Sequence, residues 1–136
     1  MLEELRGKSV LVTGSNGFIG YHLSDRLLKE GLSVFGIDNM NDYYDPGLKG
    51  ARLKKLNNER NFHFQRGDIA DQDFVFQVFE RIRPDYVVHL AAQAGVRFSL
   101  EKPQAYLDSN IKGFFNLLEA SRQYPPIHLL YASSSS

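Results

Sequence analysis

The sequence contains no cysteine and no long uninterrupted hydrophobic run. The absence of cysteine excludes disulfide bonds and thiolate chemistry, and it is typical of a protein from a reducing compartment. No stretch approaches the roughly 20 apolar residues that a membrane-spanning helix needs, and residues 1–8 lack the pattern of a secretory signal. Sixteen basic residues balance sixteen acidic ones, so the net charge is zero. These absences predict a cytoplasmic protein with neither a nucleic-acid partner nor a membrane partner.

What the 136 residues do contain is an alternation of strand-like and helix-like segments in a single domain. Apolar or β-branched runs predict strands at 9–13, 33–37, 62–65, 86–90 and 127–132. Helical spacing of apolar residues predicts helices over 18–30, 48–57, 71–82 (with Asp71 as N-cap) and 103–123. Right-handed crossovers between such strands predict an α/β fold with a doubly wound parallel sheet. Ligands in this architecture lie at the carboxyl ends of the strands.

The first turn at such a strand end is TGSNGFIG, residues 13–20. Gly14 would make the tight turn out of the strand, Gly17 would let a pyrophosphate approach the backbone, and Gly20 would let the helix lie close to the sheet. The free N–H groups at the start of the helix would then face the phosphates. The turn therefore predicts a dinucleotide site.

A carboxylate, Asp38, follows at the end of the second predicted strand, at about the 20-residue distance that such sites use. It can accept hydrogen bonds from the ribose hydroxyls of NAD, and it would repel the 2′-phosphate of NADP. Together with the glycine turn it predicts NAD as the cofactor. The alternative interpretation is three turn glycines and a capping aspartate with no ligand.

Five stretches of the sequence carry a family resemblance: VTGSNGFIG, GIDNMNDYYDPGLK, GDIAD, VVHLAAQAGVRFSLEKPQAYLDSNIKGFFNLLEA and YASSSS. In them the chain resembles the extended short-chain dehydrogenase/reductase family, and within it the nucleotide-sugar epimerases of the UDP-glucuronate 4-epimerase type. The resemblance covers nearly the whole chain, and its more specific parts are the middle loop and AAQAGVR. It implies a Rossmann-type NAD-binding domain.

The resemblance also implies which residues contact the cofactor. Those that flank the pyrophosphate are Phe18 and Ile19, those around the adenosine ribose are Asp38, Asn39 and Asn41, and those at adenine are Asp68 and Ile69. Those along the middle of the cofactor are Leu90, Ala91, Ala92, Gln93 and, on the next helix, Asn110. Without the family, the two alanines would also suit a plain core, and the last asparagine would suit a solvent-facing helix position.

The sequence ends in HLLYASSSS, a strand-like run that leads into four serines. In the family a serine-rich turn follows the fifth strand, and the residue that helps to move a proton at the sugar 4-hydroxyl matches Ser134. The resemblance implies that Ser133 lies beside the cofactor and that Ser135 and Ser136 line the substrate pocket. Without the resemblance, four serines would be interpreted as a flexible tail.

The acid/base of the family is a tyrosine followed four positions later by lysine, because the ammonium group lowers the phenol pKa from about 10 and lets a phenolate act near neutral pH. None of the seven tyrosines here has lysine at that spacing. The resemblance therefore predicts that residues 1–136 are a partial NAD-binding domain, truncated before the later strands, the catalytic pair and the substrate-binding domain.

For the parent enzyme the resemblance implies NAD-dependent 4-epimerisation of a UDP-sugar, UDP-glucuronate to UDP-galacturonate, by a homodimer, with residues 1–136 inactive by themselves. An alternative is a sugar-nucleotide 4,6-dehydratase, but those enzymes carry an Asp-Glu pair where Ser135 and Ser136 stand. A non-catalytic NAD-sensing module is the alternative from another class, and a tyrosine-lysine pair beyond Ser136 would exclude it.

Charged and titratable residues outside these motifs complete the expectations. The four histidines lack metal-ligand spacing, which predicts no metal site. The basic run of Lys49, Arg52, Lys54 and Lys55 is interpreted as a solvated helix face. Arg97 lies beyond the fourth strand on the ligand side, where it is either a surface loop residue or a contact for the diphosphate or carboxylate of a sugar nucleotide.

Overall fold

The computed structural model describes residues 2–41 and 46–133. The strands are β1 (Ser9–Thr13), β2 (Ser33–Asp38), β3 (Phe62–Arg66), β4 (Tyr86–His89) and β5 (His128–Tyr131). The α-helices of this part of the chain are α1 (Phe18–Lys29), α2 (Pro46–Asn57), α3 (Gln72–Ile82), α4 (Phe98–Glu101), α5 (Pro103–Tyr106) and α6 (Gly113–Gln123). A 3₁₀ turn, Leu2–Leu5, precedes the first strand. None of the described helices is long and apolar enough to cross a membrane.

All five strands are parallel and lie in the order β3-β2-β1-β4-β5, which confirms the predicted doubly wound sheet. The chain moves outward from β1 to β3 and then returns to the other side of β1 for β4 and β5. The direction of winding therefore reverses between β1 and β4. Thr13 at the end of β1 pairs in register with Ile37 and with His89, so three carboxyl ends meet at one edge, where ligands bind in this architecture.

Successive side chains of β1 point to opposite faces of the sheet, so they pack into two separate cores. Val10 and Val12 pack on one face with Leu32, Val34, Leu56 and Phe62, where Leu27 of α1 and Leu53 of α2 cover them. Leu11 points to the other face and packs with residues of α3 and α6, among them Phe79 and Leu117. The strand side chains of both cores are almost fully buried, so helices cover both faces of the central strands.

Most predicted elements are confirmed, with small differences at their ends. Asp71 is the N-cap of α3, where its carboxylate accepts a hydrogen bond from the backbone N–H of Phe74 at 3.2 Å. The helix predicted over 103–123 is present, but its middle, Leu107–Lys112, is a π-helical segment. Because such a segment is a short turn inside a longer helix, the helical pattern of the sequence does not reveal it. The four-residue α4 is too short to show a period and was not predicted.

Candidate functional site

The glycine turn between β1 and α1 is packed so tightly that two of its glycines have no room for a side chain. Gly14 has φ +70° and donates its N–H to the carbonyl of Ile37 at 2.8 Å. A Cβ atom on Gly14 would lie 3.0 Å from the backbone nitrogen of Ala91, and one on Gly20 would lie 2.0 Å from the carbonyl oxygen of Gly14. The turn therefore requires glycine at both positions, as the sequence predicts.

Gly17 is the N-cap of α1, and its extended backbone (φ −71°, ψ 174°) does not itself require glycine. The residue has no side chain to cap the helix, so the N–H groups of the first turn point out of the helix end, where an anion is stabilised. Phe18 and Ile19 in that turn are 67% and 64% exposed at the rim of a cleft. The helix end and these two side chains therefore lie together at the cleft, where the pyrophosphate contact stays a prediction.

The carboxylate of Asp38 is buried at the end of β2 and is held by three neighbours. Its Oδ2 accepts from the backbone N–H of Asn16 at 3.1 Å. Its Oδ1 accepts from the backbone N–H of Met40 at 2.8 Å and from Nζ of Lys49 at 3.0 Å. The residue is only 5% exposed, so the carboxylate has a fixed position beside the glycine turn.

Two of the four residues interpreted as a solvated basic face in fact line the cleft, and for them that prediction is wrong. Lys49 pairs with Asp38, while Arg52 donates from Nη1 to the carbonyl of Asn16 at 3.1 Å and lies 5.9 Å over the ring of Phe18. Lys54 and Lys55 are exposed, as predicted. Spacing alone does not separate the two pairs, because Arg52 is three residues from Lys55 as well as from Lys49.

The segment after β4 forms the opposite wall and is tied to the π-helical segment. Gln93 is 7% exposed, and its backbone N–H donates to Oδ1 of Asn110 at 2.8 Å while its carbonyl accepts from Nδ2 of the same asparagine at 3.1 Å. Asn41 reaches across from the other wall, with its Nδ2 3.4 Å from Oε1 of Gln93. Asn110 is exposed and holds the segment without lining the cleft, whereas its neighbour Ser109 does line it.

Beneath the cleft, the sheet contains a buried polar pair that was not predicted. The hydroxyl of Thr13 is 2.7 Å from Nδ1 of His89, whose ring also meets the ring of Phe114 edge-on. Burial lowers the pKa of His89 from 6.5 to about 4. The imidazole is therefore neutral at physiological pH. It stabilises the sheet through its contacts and places no positive charge beneath the cleft.

The cleft that these elements enclose has a volume of about 770 Å³, within the roughly 300–1,000 Å³ typical of cofactor sites. Fourteen of the predicted cofactor residues line it: Gly14, Gly17, Phe18, Ile19, Gly20, Asp38, Asn39, Asn41, Asp68, Ile69, Leu90, Ala91, Ala92 and Gln93. Asp68 is further fixed by a hydrogen bond from the N–H of Ala70 to its Oδ1 at 2.9 Å. The cleft therefore brings these fourteen residues together, and their contact with the cofactor stays a prediction.

The remaining predicted site residues lie elsewhere. Arg97 is exposed at the start of α4 and does not line the cleft. Ser133 is exposed beyond β5, next to the lining residue Ala132. Ser134, Ser135 and Ser136 lie outside the described residues. Across residues 2–41 and 46–133 there is no group of histidine and acidic side chains arranged to hold a metal ion.

A parallel sheet with a glycine turn at its topological switch point, and with a carboxylate at the end of the next strand, defines a dinucleotide-binding domain. The sequence matches the family described as GDP-mannose 4,6 dehydratase over residues 11–136, and the chain belongs to that family.

Within this family, the chain is similar to several epimerases. UDP-glucuronate 4-epimerase 3 of Arabidopsis thaliana is 48% identical over 136 residues, which are 99% of this chain and 31% of that protein. Protein CapI of Staphylococcus aureus is 50% identical over 127 residues, 93% of this chain and 38% of that protein. The UDP-glucuronic acid 4-epimerase of Bacillus cereus, solved with UDP-glucuronic acid and NAD, superposes with a TM-score of 0.85 at 37% identity, over 94% of this chain and 40% of that chain.

The predicted resemblance to NAD-dependent nucleotide-sugar epimerases is thereby confirmed, and NAD is the cofactor with which the Bacillus cereus relative was solved. The chain spans less than half the length of these relatives.

Proposed function

We propose that this chain is the NAD-binding part of a UDP-sugar 4-epimerase and that it holds the adenosine diphosphate half of NAD. The observation that carries the proposal is one continuous cleft that joins the glycine turn to the Asp38 carboxylate at the carboxyl ends of the central strands. The donor set fits the cofactor: helix N–H groups suit a diphosphate, a carboxylate suits ribose hydroxyls, and apolar side chains suit a flat base.

The residues of this chain bind and orient the cofactor. Among the described residues, Oδ2 of Asp38 receives one hydrogen bond, from Asn16, which leaves a lone pair for a ribose hydroxyl. Asn39 accepts the N–H of Asn41 at 3.0 Å, which fixes the loop beside that ribose. Asp68 and Ile69 supply a polar edge and an apolar face for adenine, and the small side chains of Ala91 and Ala92 leave the middle of the cleft open.

For the longer protein we propose epimerisation of UDP-glucuronate, which is the substrate class in the names of several relatives. When bound, NAD accepts a hydride from the sugar and returns it. Ser134 is proposed to help move the proton at the 4-hydroxyl, with Ser133 beside the cofactor, and with Ser135, Ser136 and Arg97 toward the substrate. The absence of a tyrosine-lysine pair in these 136 residues supports the proposal that they are inactive alone, since general-base help contributes typically 10²–10⁴-fold.

Thermal unfolding with added dinucleotide tests this proposal directly. NAD and ADP-ribose should both stabilise the chain, by about 2.7 kcal/mol at 100 times Kd, because the contacts are to the half that the two ligands share. Nicotinamide mononucleotide lacks that half and serves as the control that should leave the midpoint unchanged. A midpoint that does not respond to NAD would contradict the binding proposal, and interconversion of UDP-glucuronate and UDP-galacturonate by the purified chain would contradict its inactivity.

A second candidate, a 4,6-dehydratase, is favoured by the description of the matched family. We propose epimerisation over elimination because Ser135 and Ser136 stand where dehydratases carry an acidic pair. Mass spectrometry of the sugar nucleotide after incubation with the longer protein distinguishes the two reactions, since elimination removes water and epimerisation leaves the mass unchanged.

A further inference from the structure

The helix α2 contributes an ammonium group to the cleft at the place where the cofactor's ribose is proposed to bind. Nζ of Lys49 lies 3.0 Å from Oδ1 of Asp38, and only 13% of the Lys49 side chain and 3% of the Asp38 side chain are exposed. The pair is therefore shielded from bulk water and from salt, unlike the exposed ion pairs of α1.

A second cation belongs to the same network. Arg52 lies nearly one helical turn after Lys49 and donates to the carbonyl of Asn16, whose own N–H donates to Oδ2 of Asp38. The carboxylate thus has the ammonium group on one oxygen and, through Asn16, the guanidinium group on the other side. Because both cations line the cleft, the local charge next to the ribose site is not that of an isolated carboxylate.

This balance of charge bears on the choice between NAD and NADP. An unpaired carboxylate at the end of β2 rejects a 2′-phosphate by repulsion between like charges. Here the same phosphate would meet attraction from Lys49 and Arg52 together with repulsion from Asp38. We propose that Lys49 is a specificity-determining residue that weakens the rejection of the 2′-phosphate, so that the cleft prefers NADH but also binds NADPH measurably. The inference rests on the proposed NAD site.

Calorimetric titration of the 136-residue chain with NADH and with NADPH tests the inference. In Lys49→Met the Asp38 charge loses its partner, so the ratio of Kd for NADPH to Kd for NADH should rise by about tenfold or more. Lys49→Arg keeps the positive charge and should leave the ratio near that of the wild type. Lys54→Met removes a lysine from the exposed side of the same helix and should change the ratio less than about twofold.

The outcomes separate the two proposals. A wild-type chain that binds neither dinucleotide overturns the NAD site, and the role of Lys49 with it. Normal NADH binding with an unchanged or lower ratio in Lys49→Met overturns only the role of Lys49. If Lys49→Met fails to fold, Lys49→Gln provides the same comparison, because the amide can still donate to Asp38 but carries no charge.

Discussion

The hydroxyl of Thr13, at the end of β1, lies 2.7 Å from Nδ1 of His89, at the end of β4. The same oxygen accepts hydrogen bonds from the backbone N–H groups of Leu90 and Ala91, each at 3.0 Å. Since both of its lone pairs are taken, the hydroxyl proton is donated to His89, and the neutral imidazole carries its own proton on Nε2. One side chain therefore joins two strand ends and holds the segment that forms a wall of the cleft.

Replacement of Thr13 by valine should destabilise the chain although the two side chains have nearly the same shape. The N–H of Ala91 loses its acceptor and Nδ1 of His89 loses its donor in a buried setting, which costs roughly 1–3 kcal/mol for each unsatisfied group. Urea unfolding measures the loss. Thr13→Ser keeps the hydroxyl and should lose much less, so equal losses in the two variants would show that the hydrogen bonds do not matter.

His89 should make the stability of the chain depend on pH in the acid range. Its folded-state pKa of about 4 is below the usual 6.5, so the unfolded state binds the proton first. Stability should therefore fall as the pH drops below about 6.5, with the full loss of ~3 kcal/mol reached near pH 4 and below.

Unfolding free energies between pH 7 and pH 4 check this expectation in the wild type and in His89→Asn. The asparagine Oδ1 stands where Nδ1 was and can still accept from Thr13, but it does not titrate. The unfolding free energy should change less steeply with pH in the variant than in the wild type. Identical slopes would assign the acid sensitivity to other groups.

Substitution by alanine should change the stability of the chain in opposite directions at two helical glycines. Gly20→Ala places a methyl group 2.0 Å from the backbone oxygen of Gly14, which cannot move without opening the turn. We expect a loss of stability of about 1–3 kcal/mol and a loss of the NAD-dependent shift in unfolding temperature. Gly50 in α2 has open space around its Cβ position, so Gly50→Ala should instead stabilise by roughly 0.5–1 kcal/mol.

Calorimetry with and without NAD measures the unfolding temperature of both variants. Comparison of the two shows whether the effect comes from replacing any helical glycine or from the close approach of backbone atoms at Gly20. A stable Gly20→Ala variant that still responds to NAD would contradict the structural reason given for that glycine.

An exposed apolar stripe along the helix that contains the π segment should make the chain self-associate. Its members are Leu107, Ile111, Phe115 and Leu118, which recur at helical spacing and are 45–63% exposed. Sedimentation velocity should show association that grows with concentration, and Phe115→Lys should reduce it. Gln123→Lys adds the same charge at the exposed end of α6 and should not. A wild-type chain that stays monomeric at high concentration would contradict this expectation and weaken the homodimer predicted for the longer protein.

Local sequence was sufficient to predict much of the fold, together with the glycine turn and the carboxylate of the site. The positions of the strands follow from runs of β-branched and apolar residues, and the cap at Asp71 follows from a short-range bond to the next turn of backbone. The glycine turn was equally predictable, because Gly14 adopts a positive φ that other residues disfavour. Asp38 follows from its place at a strand end.

By itself, the sequence determined the α/β architecture, the glycine turn and the carboxylate, because each is encoded by neighbouring residues and by the period of a strand or helix. Only the tertiary structure decided which side of α2 faces the cleft, and so why Lys49 binds Asp38 while Lys54 lies in solvent. It also decided that Thr13 meets His89, and that Asn110 holds Gln93 instead of lining the cleft. These contacts join residues far apart in the chain, and their partners are set by how helices pack on the sheet, which no local spacing specifies.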